Sequence, residues 1–166
     1  YLETVLQNVL PPGTFQMQLG KEKLKEVYEA ADIFFCNKEE AQAILGSQSK
    51  DIKELLAGIR SLGPKIAVIT DGRNGASIET HEGAWHMPMY PDPAPPISRT
   101  GAGDATSSTC VAYMHLGLPP QEALLRGMIN SAAVVQKVGA QAGLLRKDEL
   151  EAWWEKRPKE FAATAL

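Results

Sequence analysis

A change of hydrophobic period that recurs along the chain constrains its fold more than any other feature. Ile52, Leu55, Leu56, Ile59 and Leu62 share one face of a helix, because residues three and four apart line up at 3.6 residues per turn. Gly63-Pro64 stops that pattern. Lys65-Ile66-Ala67-Val68-Ile69-Thr70 follows as a short, nearly continuous apolar run, the pattern of a buried strand. The same switch occurs upstream. Leu24, Val27, Tyr28 and Ala31 predict a helix over 21–31, and the run Asp32-Ile33-Phe34-Phe35-Cys36 predicts a strand after it. Helices alternating with buried strands predict an α/β fold, a layered domain with a mainly parallel sheet flanked by helices. Ligands bind such sheets at the carboxyl ends of strands, which directs attention to the residues after Cys36 and after Thr70.

The remaining segments fit that plan. Residues 38–45 read as a helix stopped by Gly46, and Asp71-Gly72-Arg73-Asn74-Gly75 as a turn. Residues 76–80 and 84–87 read as a hairpin around His81-Glu82-Gly83. Residues 89–96 hold four prolines and predict an extended loop. Helices are predicted over 100–117, 121–138 and 147–156. A length of 166 residues fits one domain, able to bury roughly 70% of its unfolded surface. The net charge of −3 provides no basic footprint for nucleic acid. No apolar run has the length of a membrane span, and residues 1–10 lack the pattern of a signal peptide. Cys36 and Cys110 form no CxxC pair, which points to buried thiols in a reducing compartment and a cytoplasmic location. His81, His86 and His115 lack zinc-ligand spacing.

The chemistry centres on Thr100-Gly101-Ala102-Gly103-Asp104, which follows the proline-rich loop and opens a helix. The first N–H groups of a helix have no internal partners, and the helix dipole adds positive charge there. Glycines let the backbone approach a phosphate closely. An ionised aspartate at this place can orient an alcohol and accept its proton as the bond to phosphorus forms. These residues alone serve a plain N-cap equally well.

The segment Ser98-Arg99-Thr100-Gly101-Ala102-Gly103-Asp104 resembles the DTTGAGD signature of the ribokinase (PfkB) carbohydrate kinase family. Asn37-Lys38-Glu39-Glu40 is similar to the family's NxxE segment, and Thr70 to Gly75 to its T-x-G-x-x-G turn. Gly139-Ala140-Gln141 resembles its GAQ. The resemblance covers nearly the whole chain and implies ATP-dependent phosphoryl transfer to a hydroxyl of a sugar. Asp104 would be the catalytic base, with Gly101, Ala102 and Gly103 as the anion hole. Asn37, Thr70, Gly72 and Gly75 would bind nucleotide, and Glu40 would hold Mg²⁺ through water. A monovalent cation, K⁺ in the family, would lie by Ser98, Thr100 and Gly139. Ser98 stands where the family has Asp, and Arg99 replaces a Thr, so the case for K⁺ is weakened. Counting back from Gly139 places Met128, not Asn130, at the family's adenine position.

The family's N-terminal half, with its sugar contacts and lid, has no counterpart in this sequence. Pro12-Gly13-Thr14-Phe15 would fall near the start of the first strand–helix unit. Tyr1 is not an initiating Met, and the expectation is of an incomplete chain that binds nucleotide and phosphorylates sugar poorly. A nucleoside or vitamin-alcohol kinase of the same superfamily and a non-catalytic nucleotide-binding domain are the alternatives.

Overall fold

In the computed structural model, which describes residues 8–10 and 20–166, the apolar runs have become one sheet. The stretch 12–15 lies outside the described residues. The strands are β1 (Val9–Leu10), β2 (Ile33–Asn37), β3 (Ile66–Thr70), β4 (Ala76–Glu79), β5 (Ala84–Met87) and β6 (Thr164–Ala165), and they lie side by side in chain order. The helices are α1 (Lys25–Glu29), α2 (Lys38–Leu45), α3 (Ile52–Ser61), α4 (Ala102–His115), α5 (Pro120–Val134) and α6 (Lys147–Glu155). The chain divides into two compact units. One reaches to His86 and takes in Thr164–Leu166; the other is Met87–Ala163.

The first unit holds the sheet. β1, β2 and β3 are parallel, and Asn37 is the register partner of Thr70. From β3 onward the pairing with β4, and of β5 with β6, is antiparallel. The sheet is thus parallel in its first three strands and mixed as a whole. The cause lies in the connections. A parallel pair needs a crossover of a dozen or more residues, and the short turn from Thr70 to Ala76 can only reverse the chain. The α3 stripe is buried as its spacing predicts: Leu55, Leu56 and Ile59 are at most 1% exposed. They pack with Phe34, Cys36 and Ile69 in one core, each worth about 1.5–3 kcal/mol of burial for the largest side chains. α1 is shorter than the predicted 21–31. Residues 21–24 are turns, and Leu24 at the N-cap brings no side-chain cap.

The second unit is built on α4 and α5. A Cβ on Gly127 of α5 would lie 2.5 Å from the Thr106 carbonyl oxygen of α4, so the small residues of α5 permit close packing. α5 stops at Val134, short of 138, because Gln136 and Lys137 bond back by three residues, to Ala133 and Val134. Met128 and Asn130 are both buried. Asn130 Nδ2 donates to Thr109 Oγ1 at 2.8 Å, and its Oδ1 accepts from Leu145 N at 2.9 Å. Its amide is therefore spent on holding the unit together. Arg126 clamps α5 to α6: its guanidinium lies 3.9 Å from the Trp154 ring centre, and Nε donates to Glu151 Oε1 at 3.1 Å.

Candidate functional site

α4 begins at Gly101, an N-cap in the left-handed region with φ +84°. No side chain caps this helix. Ala102 N reaches back to Arg99 O at 3.3 Å, and Ala105 N makes the first α-helical bond, to Gly101 O at 2.8 Å. The N–H groups of Gly103 and Asp104 lie between them and have no intrahelical acceptor. A Cβ built on Gly103 would meet nothing within 4 Å. The flank of the first turn at Gly103 therefore borders open space. Asp104 is exposed in this first turn. Its carbonyl takes bonds from Ser107 Oγ at 3.2 Å and Ser108 Oγ at 2.6 Å.

Long-range contacts bring the other predicted residues of this unit alongside. The N–H groups of Ile97 and Ser98 both donate to Val135 O, at 2.8 and 3.2 Å. Thr100 N donates to Ser98 Oγ at 3.3 Å. A Cβ on Gly101 would lie 2.7 Å from both Cα and O of Ala140. Ser98, Thr100 and Gly101 thus lie beside the segment that carries Gly139.

The open space at Gly103 makes a prediction. Gly103→Ala is expected to raise stability by up to about 1 kcal/mol, since alanine is the better helix former. It is expected to lower affinity for a phosphate ligand, because a methyl on the first turn narrows the approach to its N–H groups. Urea unfolding and calorimetric titration of the same variant check both signs.

The first unit holds Asn37, Glu40, Thr70, Gly72 and Gly75. Asn37 ends β2 and caps α2. Its Oδ1 accepts from Glu40 N, and Glu40 Oε2 accepts from Asn37 N, both at 2.8 Å. This reciprocal capping box satisfies two backbone donors. Glu40 is therefore a fixed, half-buried carboxylate rather than a freely solvated one. Thr70 sits across from Asn37 at the carboxyl end of the adjacent strand. The chain then turns through a short 3-10 helix, Gly72–Asn74, with φ +51° at Gly72 and +88° at Gly75. Both values favour glycine. Asp71 N donates to Gly75 O at 2.8 Å and closes the turn. Arg73 projects as an exposed turn residue.

Two features here were not anticipated. Lys38 Nζ pairs with Asp71 Oδ2 at 3.0 Å. A cleft of about 200 Å³ opens next to that pair, lined by Lys38, Lys50, Asp71, Asn74, Ser77 and His86 among others. Ser77 Oγ and His86 Nδ1 are 3.1 Å apart within it. The sequence signal for Lys38 is its position, a cation at the positive end of a helix. Cys36, next to Asn37, is buried, and burial, and then the Glu40 carboxylate, pushes its thiol above the ordinary range.

Each unit by itself holds groups whose chemistry suits a nucleotide phosphate or Mg²⁺. An uncapped helix start without a Cβ at Gly103 matches a phosphate. Mg²⁺ takes one or two carboxylates and completes its shell with phosphate oxygens and water, so one fixed carboxylate such as Glu40 is a sufficient protein contribution. Among the described residues no helix is long and apolar enough to cross a membrane.

Residues 4–148 match the family described as pfkB family carbohydrate kinase. The chain is 29% identical over 123 residues to a cytidine kinase of Thermococcus kodakarensis, covering 72% of this chain and 42% of that protein. Its fold matches the nucleoside kinase of Methanocaldococcus jannaschii, an archaeal member of the ribokinase family, with a TM-score of 0.77 and 25% identity. That match covers 90% of this chain and 48% of the other. A putative ribokinase II from E. coli, solved with ATP and Mg²⁺, matches with a TM-score of 0.71 and 26% identity, over 82% of this chain and 43% of that one. The chain thus spans less than half the length of the proteins it resembles.

Proposed function

The chain belongs to the pfkB family of carbohydrate kinases, and on that premise we propose that it supplies the nucleotide side of phosphoryl transfer from ATP to a hydroxyl of a sugar. The observation that carries this reading is the uncapped start of α4, where the Gly103 and Asp104 N–H groups have no intrahelical acceptor and the Asp104 side chain is exposed beside them. Asp104 orients the acceptor alcohol and takes its proton as the new P–O bond forms. Of the turn at Gly101, Ala102 and Gly103, the Gly103 N–H, with that of Asp104, stabilises charge on the transferred phosphoryl group, while the Ala102 N–H bonds to Arg99 O. Thr70, Gly72 and Gly75 shape the nucleotide loop, Asn37 binds nucleotide near the phosphates, and Glu40 contributes to Mg²⁺ through water. Mg²⁺, when bound, neutralises charge on the phosphate oxygens. K⁺ is left out of the proposal, since a neutral Ser98 holds its own hydroxyl against Thr100 N.

A nucleoside acceptor is the second reading, favoured by the cytidine kinase and nucleoside kinase that the chain resembles. Both acceptors present an alcohol, so Asp104 has the same task.

The test is calorimetric titration of the 166-residue chain with ATP and Mg²⁺. Binding is expected within about 1 μM–1 mM, the span of ordinary substrate affinities. Sugar-dependent turnover by the chain alone is expected to be poor, because positioning both reactants supplies much of the catalysis. No binding at millimolar ATP overturns the nucleotide reading, and rapid sugar phosphorylation overturns the division of labour.

A further inference from the structure

Lys38 occupies the first position of α2, directly after the Asn37 cap. A cation there opposes the helix dipole, and residues that break a local rule often serve a purpose outside their own element. Asp71 is what offsets it. Lys38 Nζ lies 3.0 Å from Asp71 Oδ2, and the two side chains are only 22% and 25% exposed. Asp71 also accepts from Asn74 Nδ2 at 3.2 Å, within the turn. The carboxylate therefore grips both the turn and the start of α2. Its neighbours in sequence are Thr70 and Gly72, and Lys38 is the neighbour of Asn37. One ion pair thus links two segments that ladder hydrogen bonds hold together only as far as Asn37 and Thr70.

We propose that Lys38 and Asp71 form a positioning pair, which locks the capped start of α2 to the 70–75 turn and so sets the affinity for nucleotide. This inference rests on the nucleotide reading above. Without the pair, β2 and β3 keep their register, while the turn and the helix start drift relative to each other. The pair is absent from the hydrophobic core around β2 and β3 and takes no part in the two capping-box hydrogen bonds, so its removal is expected to reach binding before it reaches stability.

The experiment is calorimetric titration of the 166-residue chain with ATP and Mg²⁺, alongside thermal unfolding. Lys38→Met and Asp71→Ala are each expected to weaken binding about tenfold, and together no more than either alone, the mark of residues acting as one unit. Lys38→Arg is expected to stay within about threefold of the wild type, and the exchanged pair Lys38→Asp with Asp71→Lys to regain most of the loss. Unfolding midpoints are expected to move by less than about 3 °C, as for a modest surface contribution. Unchanged binding in both single variants overturns the inference while leaving the nucleotide reading intact. Weakening by Lys38→Met alone, or failure of the exchanged pair, also overturns it, since Lys38 would then act by direct contact. No ATP binding by the wild-type chain overturns the nucleotide reading and this inference with it.

Discussion

Gly101→Ala is expected to destabilise the chain by about 2–5 kcal/mol. Two costs add. A side chain in the left-handed region costs about 1–2 kcal/mol, and Gly101 sits at φ +84°. Overfilling a packed contact costs about 1–3 kcal/mol, and the new methyl would lie 2.7 Å from the Ala140 backbone. A flexible side chain could swing away, but the obstacle here is main chain. Against a total stability of about 5–15 kcal/mol for a typical domain, this is a large fraction. Urea unfolding checks it: the midpoint falls and the slope stays constant if stability alone has changed. An unchanged midpoint would show that the contact with Ala140 yields freely. ATP binding by the remaining folded fraction is expected to weaken as well, since the same movement tilts the start of α4.

Asp104→Asn is expected to separate chemistry from binding. The side chain is exposed, so stability is expected to stay within about 0.5 kcal/mol. An amide keeps the shape of the carboxylate but accepts no proton. Phosphoryl transfer is expected to fall about 10²–10⁴-fold, the range for losing a general base. ATP affinity is expected to hold or improve, because a negative charge near the triphosphate is removed. A sensitive single-turnover assay with labelled ATP reads the first quantity, and calorimetry the second. Transfer at the wild-type rate would remove Asp104 from the chemistry and leave a nucleotide-binding domain.

The sequence made local features legible and distant ones obscure. The α3 stripe and the β3 run are set by period within one segment, and both appear where they were expected. The start of α4 was legible too, because its glycines and aspartate are contiguous. Helix ends were less so. Apolar spacing overran α1, where no cap closes the first turn, and α5, which gives way to three-residue turns after Val134. The capping box of Asn37 and Glu40 is legible from its spacing, although the resemblance implies only a metal role for Glu40. The Lys38–Asp71 pair spans 33 residues, beyond any window of local pattern. The closeness of Gly101 to Ala140 belongs to the same class. The family's motif order placed those segments in one protein, but their contact required the fold. Asn130 is instructive for the opposite reason: no role was assigned to it by alignment of motifs, and its amide is consumed inside the unit.

The pairing of β5 with β6 has a kinetic consequence. Thr164 bonds to the His86 carbonyl across a separation of 78 residues, and everything between them belongs to the second unit. Pairings remote in sequence form late, because loop-closure entropy must be met before the contact returns anything. The outer edge of β5 is therefore expected to stay unpaired while the intervening residues order, and such edges are where chains associate wrongly. The rate at which the second unit folds governs how long that edge stays open.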